Sequence, residues 1–398
     1  MIGYPFLKRR FVLVVFAFVS LFTALPAAAQ VSAPPLDAHR YTWKKISSAH
    51  YEVIFPDFLE DRGRYVSSVL EYLWPLQQHT LMPSRLFKFP VILNPDQMSP
   101  NGYVNIFPRR SYYYTVPDSS TSGDWLTLLA VHEGRHMFQF DALNRGTIHA
   151  LSYFFGEYAA ALAVTSPSWW FEGDAVMTET ALTESGRGRN PRFTAQFKAL
   201  MLEGKVFDYN KMLLGSYADN IPNSYEFGYL MYSYIRARYD PKAPETLLAS
   251  MAKCPLPALG PHLAMRRACG KGASAVYREM AEQYGTFWKD QIASLAVTPA
   301  IALTKQTKSP YREHRFIASC ADGSVVASVL DYDRGTEIVR IKDGKETPLC
   351  KGYPLNSLGA GGKYLVWDSL ETNGKFDAST ARIVLFDLGK KCKKTLFS

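Results

Sequence analysis

"LLAVHEGRHMFQFDAL", residues 128 to 143, carries two histidines four positions apart, with a glutamate directly after the first. An α-helix advances about 100° per residue, so His132 and His136 lie on one face and can present two imidazoles to one ion. The flanking "LTLLAV" and "MFQF" are typical of a buried helix. Burying two histidines and Glu133 without partners is costly, and a metal-ligand role removes that cost. An ordinary amphipathic helix is the alternative, and it would have to supply hydrogen-bond partners for all three side chains.

The spacing H-E-x-x-H is that of a zinc site in which the glutamate takes a proton from water and does not ligate the metal. Two nitrogens are insufficient, because a catalytic zinc usually has three protein ligands and an open position. The extended pattern H-E-x-x-H-x-x-G-x-x-H fails here. Gln139 occupies its glycine position and Ala142 the position of its third histidine. The third ligand must therefore come from elsewhere in the chain.

A second stretch, "PSWWFEGDAVMTET" at residues 167 to 180, supplies a candidate. Its W-F-E-G-x-A pattern resembles the second-helix motif of gluzincin zinc metallopeptidases of the peptidase MA-like group. The resemblance implies that Glu172 is the third zinc ligand and that Glu179 hydrogen-bonds a ligating histidine. The separation from His136 is longer than is usual in that family, and Glu157 lies at the conventional distance. Because Glu157 lacks the motif and sits among Ala, Phe and Tyr, we predict Glu172.

A third stretch, "NSYEFGYLMYSYIRARYD" at residues 223 to 240, is similar to the Y-E-x-G helix of aminopeptidase-like gluzincins. The similarity implies that the hydroxyl of Tyr225 donates to the oxyanion of the tetrahedral intermediate. The alternative is an aromatic side chain on a core-facing helix, which suits Tyr229 and Tyr232 better. The family's Gly-Ala-Met-Glu-Asn loop, which grips a substrate's amino terminus, is absent, so aminopeptidase activity is in doubt. "NGYVNIF" from Asn101 is predicted to be an edge strand of the cleft instead.

The predicted fold class is α+β, in three parts. Residues 30–123 form a mixed β/α subdomain, with strand signals in "HYEVIFP", "KFPVIL" and "NGYVNIFPRRSYYYTVP". The tyrosine run in the last of these is read as sheet packing, not as a ligand platform. Residues 124–300 form a mainly helical zinc-binding subdomain that begins after the helix-starting stretch "PDSSTSGDW".

The third part, residues 309–398, contains an internal repeat of about forty residues, in which "ADGSVVAS" aligns with "AGGKYLVW". The repeat resembles two blades of a TolB-like β-propeller. A closed propeller needs at least about four blades. We therefore expect a partial propeller belonging to a longer protein, a small open sheet, or a segment that needs a partner. A β-sandwich fragment is the alternative.

Residues 1–29 are predicted to be a signal peptide. Basic residues precede an apolar run from Phe11 to Leu25, and a stretch of small alanines follows. A membrane anchor is the alternative, but the run is short for a bilayer and no charged stop-transfer stretch follows. We expect an exported protein, periplasmic, outer-membrane-associated or secreted. Export permits disulfides, and Cys254 and Cys269, which flank a Pro-rich turn, can bridge.

The sequence as a whole predicts an exported zinc metallopeptidase that binds Zn²⁺ and acts on a peptide or protein substrate. The formal net charge of +9 is scattered, whereas a nucleic-acid groove needs a focused basic face, so no nucleic-acid partner is expected. The sequence contains no G-x-S-x-G elbow, so a serine hydrolase is not indicated. The alternative function is a catalytically silent envelope scaffold with a protein partner on its propeller-like segment. Endopeptidase and exopeptidase action are both left open.

Overall fold

The computed structural model describes residues 41–83, 88–97, 99–118, 123–304, 312–372 and 379–397. The predicted signal peptide lies outside these residues. In the part of the chain that is described, no helix combines the length and the apolar character needed to cross a membrane.

A five-stranded sheet forms the first layer, in the strand order β1-β2-β3-β5-β4. Its strands are β1 Trp43–Ser47, β2 Tyr51–Pro56, β3 Phe89–Asn94, β4 Gly102–Asn105 and β5 Arg110–Tyr114. Strands β2, β3 and β5 are parallel, while β1 and β4 pair antiparallel at the two edges. Tyr112 and Tyr113 are fully buried in β5, in keeping with the predicted sheet packing. Strand β4 is at one edge of this sheet, so the edge strand predicted from Asn101 onward is present.

Helices dominate the middle of the chain and pack with the sheet around one apolar core. The helix after β2, α1, spans Glu60–Gln77. The H-E-x-x-H motif lies on α2, Trp125–Leu143, which begins where the carboxylate of Asp124 accepts the Thr127 N–H at 2.7 Å. The remaining helices are α3 Gly146–Phe155, α4 Ser168–Leu182, α5 Ala195–Leu202, α6 Tyr209–Leu214, α7 Ser224–Arg238, α8 Ala243–Lys253, α9 Leu259–Cys269 and α10 Ala273–Ala293. A 3-10 segment, Gly156–Thr165, joins α3 to α4.

Helices α4 and α7 touch backbone to backbone at two glycines. A Cβ atom on Gly173 would lie 2.3 Å from the carbonyl carbon of Gly228, and one on Gly228 would lie 2.7 Å from the Cα of Gly173. No side chain fits at such a distance, so both positions require glycine. These are the glycines of the W-F-E-G and Y-E-F-G stretches. Their contact explains why Glu172 and Tyr225 lie side by side.

The C-terminal part contains two four-stranded antiparallel sheets, each in sequential order. The first comprises β6 Arg312–Ser319, β7 Val325–Asp331, β8 Gly335–Lys342 and β9 Lys345–Lys351; the second comprises β10 Leu358–Gly361, β11 Tyr364–Thr372, β12 Ser379–Asp387 and β13 Cys392–Phe397. The two sheets share a small core that includes Val326, Ile338 and Trp367. The described residues form no closed ring, so the TolB-like propeller is not supported. Each half of the repeat forms an open sheet.

All five cysteines are free thiols, so the bridge between Cys254 and Cys269 is not formed. Cys269 is buried in the helical core, whereas Cys254 is not among the residues of that core. The domain boundaries at residues 123 and 309 remain predictions.

Candidate metal centre

His132, His136 and Glu172 converge although they come from two different helices. Each offers one ligand atom, and these atoms lie within 4.8 Å of one another. Glu172 Oε2 is 3.4 Å from Nε2 of His132 and 3.3 Å from Nε2 of His136. Two imidazole nitrogens and one carboxylate oxygen are a donor set found in catalytic zinc sites. The structure thus brings together the three residues that the sequence predicts as ligands.

A buried oxygen atom without a hydrogen-bond partner indicates that a cation fits at this cluster. Glu172 Oε2 is buried and has no hydrogen-bond partner among the described residues. A buried oxygen without a partner costs free energy, and a cation at the two Nε2 atoms would remove that cost. Burial favours the neutral carboxyl, but the neighbouring imidazoles of His132 and His136 outweigh it and hold the pKa of Glu172 well below its usual range. Glu172 is therefore ionised and suited to bind a metal.

Both histidines are held by their Nδ1 atoms. Nδ1 of His132 lies 2.9 Å from Glu179 Oε2 and 2.8 Å from Arg187 Nη2, and Nδ1 of His136 donates to Gln139 Oε1 at 2.8 Å. Gln139 Oε1 can only accept, which places the proton of a neutral His136 ring on Nδ1, and the Glu179 carboxylate favours the same tautomer in His132. Both Nε2 atoms point toward Glu172. Of the two acceptors, only Glu179 was predicted from the sequence.

Arg187 completes the support of His132. Its Nε and Nη2 donate to the two oxygens of Glu179 at 2.7 and 2.8 Å, and its backbone N–H donates to Glu179 Oε1 at 3.0 Å. Burial raises the pKa of Glu179, but the bonds from Arg187 and His132 outweigh that effect and lower it to about 2. The carboxylate is therefore charged and fixed. Arg187 lies on a 3-10 turn, Arg187–Arg189, that folds back on α4, and no local signal in the sequence indicated it.

A buried chain of polar side chains supports His136. Gln139 Nε2 donates to Asp174 Oδ2 at 2.8 Å and to the Phe171 carbonyl at 3.0 Å. Asp174 in turn accepts from Arg135 Nε at 2.6 Å and Nη2 at 3.0 Å. The chain ties α2 to α4, the two helices that carry the ligands. The role of Gln139 was not predicted from the sequence, although its spacing of three from His136 places both on one helix face.

Glu133 lies beside the cluster and does not join it. Burial is the largest effect and raises the pKa of Glu133, and the charge of Glu172 adds to it, while His132 and His136 oppose it. Its Oε2 atom is buried and has no hydrogen-bond partner among the described residues. A Cβ atom on Gly102 would lie 3.2 Å from Glu133 Oε1, so edge strand β4 passes directly against this carboxylate. The position suits proton transfer to a group lying along β4.

Tyr225 reaches the site from α7. Its ring stacks on that of His132, with centroids 6.0 Å apart and planes 18° apart. The guanidinium carbon of Arg187 lies 4.9 Å from the centroid of the Tyr225 ring. Burial, and next the charge of Glu172, raise the pKa of Tyr225. The hydroxyl therefore keeps its proton at neutral pH and is available as a donor.

Glu157, the rival third ligand, lies elsewhere. It is on the 3-10 segment and its Oε2 accepts the Arg109 N–H at 3.3 Å. It is not part of the ligand cluster. The excess chain between the two motifs forms α3 and the 3-10 segment, and places Glu172 rather than Glu157 at the histidines.

Two cavities open on the site and share Gly102, His132, Glu133 and Tyr225. One, of about 490 Å³, has polar and apolar surface in about equal amounts, and its polar part includes Asn101, Asp118, Glu184, Arg187, Arg189 and Asn190. The other, of about 350 Å³, has a mainly apolar lining that includes Val104, Ile106, Phe140 and Phe171. We call them the polar half and the apolar half of the cleft.

No family model and no curated protein matches this chain. Among solved structures, it is similar to an M1 zinc metallopeptidase from Deinococcus radiodurans, with 15% identity, a TM-score of 0.30, and coverage of 62% of this chain and 51% of that one. A mutant of such an enzyme from the same organism, bound to a Tyr-Ser-Ala substrate, gives 14% identity, a TM-score of 0.32 and the same coverage. The chain thus spans about half the length of these structures. A likeness this weak assigns neither family nor activity.

Proposed function

We propose that this protein is a zinc-dependent peptidase, exported by its N-terminal segment, that hydrolyses peptide bonds. The observation that carries the proposal is the convergence of two Nε2 atoms and one ionised carboxylate within 4.8 Å. In each ring Nδ1 lies within hydrogen-bond distance of a buried acceptor, which favours the tautomer with a free Nε2. His132, His136 and Glu172 would hold the metal.

Zinc supplies Lewis acidity, which favours deprotonation of water near neutral pH and polarises a carbonyl. Glu133, which is buried and has an unpartnered oxygen, accepts the proton from the attacking water and passes it to the leaving amine. The Tyr225 hydroxyl donates to the oxyanion. Glu179 and Gln139 keep the two imidazoles in one tautomer and one orientation throughout.

The substrate is an extended peptide that pairs with β4. This strand is at the edge of its sheet and hydrogen-bonds only to β5 among the described strands. Its free edge can add a further strand through backbone hydrogen bonds, which suits a peptide of any sequence. Because Gly102 lies against Glu133, such a peptide would pass the proton-transfer group.

The test is Glu133→Gln in the full chain. This variant removes the base but no ligand, so it should bind zinc in the wild-type amount and cleave nothing in a mixed peptide library. Zinc content is measured by mass spectrometry of the metal, and the wild type is assayed with and without a chelator. Unchanged turnover in the variant would refute the role of Glu133. Stoichiometric zinc with no cleavage by the wild type would favour the alternative, a scaffold that binds without cutting.

A further inference from the structure

We infer that this protein cleaves peptides without needing a free amino terminus, and that its cleft takes apolar residues on the amino-terminal side of the cut and polar residues on its carboxyl-terminal side. The inference rests on the proposed function and deepens it. It follows from three features of the cleft: the different chemistry of its two halves, the direction of β4 between them, and the lack of a site for a substrate's free amino group.

The two halves meet at the proton-transfer group, Glu133. Both are lined by Glu133, but Glu172, Phe140 and Phe171 line only the apolar half, whereas Glu179 and Arg187 line only the polar half. A peptide whose scissile bond lies at Glu133 must therefore place one of its ends in each half. Side chains on the two sides of the bond meet different surfaces.

The direction of the bound peptide follows from the direction of strand β4. Asn101, just before the strand, lines the polar half, Val104 within it lines the apolar half, and Ile106 follows in the apolar half. The strand thus runs from the polar half to the apolar half. Antiparallel pairing is slightly more stable per residue than parallel pairing, and β4 already pairs antiparallel with β5. A peptide added antiparallel enters with its amino-terminal part in the apolar half.

No described residue lining the apolar half offers a carboxylate apart from Glu133 and Glu172, which are committed to the chemistry. A free ammonium group there would lose water without gaining a partner, which is costly. An exposed aromatic pair begins at the residue after Ile106. The rings of Phe107 and Tyr158 lie 4.0 Å apart, centroid to centroid, with 45% and 55% of these residues exposed. This pair offers apolar surface to a longer segment on the amino-terminal side of the cut.

Binding is tested first, without turnover. Two N-acetylated fluorescent peptides of equal composition, one with its apolar block before a polar block and one with the order reversed, are titrated into zinc-loaded Glu133→Gln by anisotropy. The first should bind about tenfold more tightly, the discrimination that an apolar pocket supplies. Equal binding, or tighter binding of the reversed peptide, would overturn the inference.

Cleavage by the wild type is then mapped by mass spectrometry. The first peptide should be cut at the junction of its two blocks, and its acetylated and free-amine forms should be cut at equal rates. Cuts with the apolar block on the carboxyl-terminal side, or release of single residues from free amino termini only, would refute the inference and leave the peptidase standing. No cleavage of any peptide would remove the proposed function and the inference together.

The specificity variant is Val104→Lys, which places a cation in the apolar half. It should weaken cleavage of the apolar-first peptide about tenfold and improve cleavage of a version with glutamate in the apolar block. Leu214→Lys is the matched control, because Leu214 is 83% exposed and lies outside the lining of both halves. Wild-type zinc content in both variants shows that the fold is kept. If Val104→Lys lost cleavage of both peptides to the same degree, the assignment of Val104 to the apolar half would be contradicted.

Discussion

Arg135 and Asp174 form an ion pair with two hydrogen bonds, at 2.6 and 3.0 Å, inside the protein. The two residues are 0% and 1% exposed. The pair joins the helix of the two histidines to the helix of Glu172. Through Gln139 it also fixes the ring of His136.

Asp174→Ala should lower the free energy of unfolding by about 3 to 5 kcal/mol, because it leaves the Arg135 guanidinium buried and unpaired. Chemical denaturation of the metal-free protein measures this. Glu52→Ala is the control: its pair with Lys45 is at the surface, at 3.1 Å, and should contribute less than about 1 kcal/mol. Similar losses in the two variants would show that the buried pair has no special role.

Glu172→Ala should lose zinc in competition with a chelator, while Glu157→Ala should keep it. The first removes the only carboxylate in the ligand cluster, whereas Glu157 accepts a backbone N–H elsewhere. Zinc retained after dialysis is measured at equal protein concentration. Zinc loss in Glu157→Ala with retention in Glu172→Ala would reverse the assignment of the third ligand.

Tyr225→Phe should lower kcat roughly a hundredfold with little change in KM, since a donor to the oxyanion acts in the transition state and not in substrate binding. Zinc content should stay constant. Tyr232→Phe is the control on the same helix, because its buried hydroxyl has no hydrogen-bond partner among the described residues. A rise in KM alone for Tyr225→Phe would indicate a binding role instead.

Glu226 should make stability depend on pH. Burial raises the pKa of its carboxyl from 4.5 to about 7, against the opposing bond from the Phe197 N–H. Between these values the folded state binds more protons than the unfolded state, so stability falls as pH rises through this window. The gain in unfolding free energy from Glu226→Gln should therefore grow between pH 5 and pH 8, to at most on the order of 3 kcal/mol. A gain that does not vary with pH would contradict the raised pKa.

The sequence predicted those site residues that are close together in the chain or lie within a recognisable motif. The pairing of His132 and His136 follows from helix geometry, and Glu172 and Tyr225 came from the motifs that surround them. Gln139 and Arg187 were missed because their roles depend on how α4 and the turn after it pack on α2. The repeat at the C-terminus indicated two β units, but ring closure depends on contacts between units, which a repeat does not encode.

Because Gly173 and Gly228 are in direct backbone contact, α4 and α7 pack as one rigid unit. The carboxylate that would bind the metal and the hydroxyl that would meet the oxyanion are therefore displaced together or not at all. A methyl group at either glycine would wedge the helices apart while leaving each reactive group chemically intact. The alignment of these two groups thus depends on two positions that carry no reactive side chain.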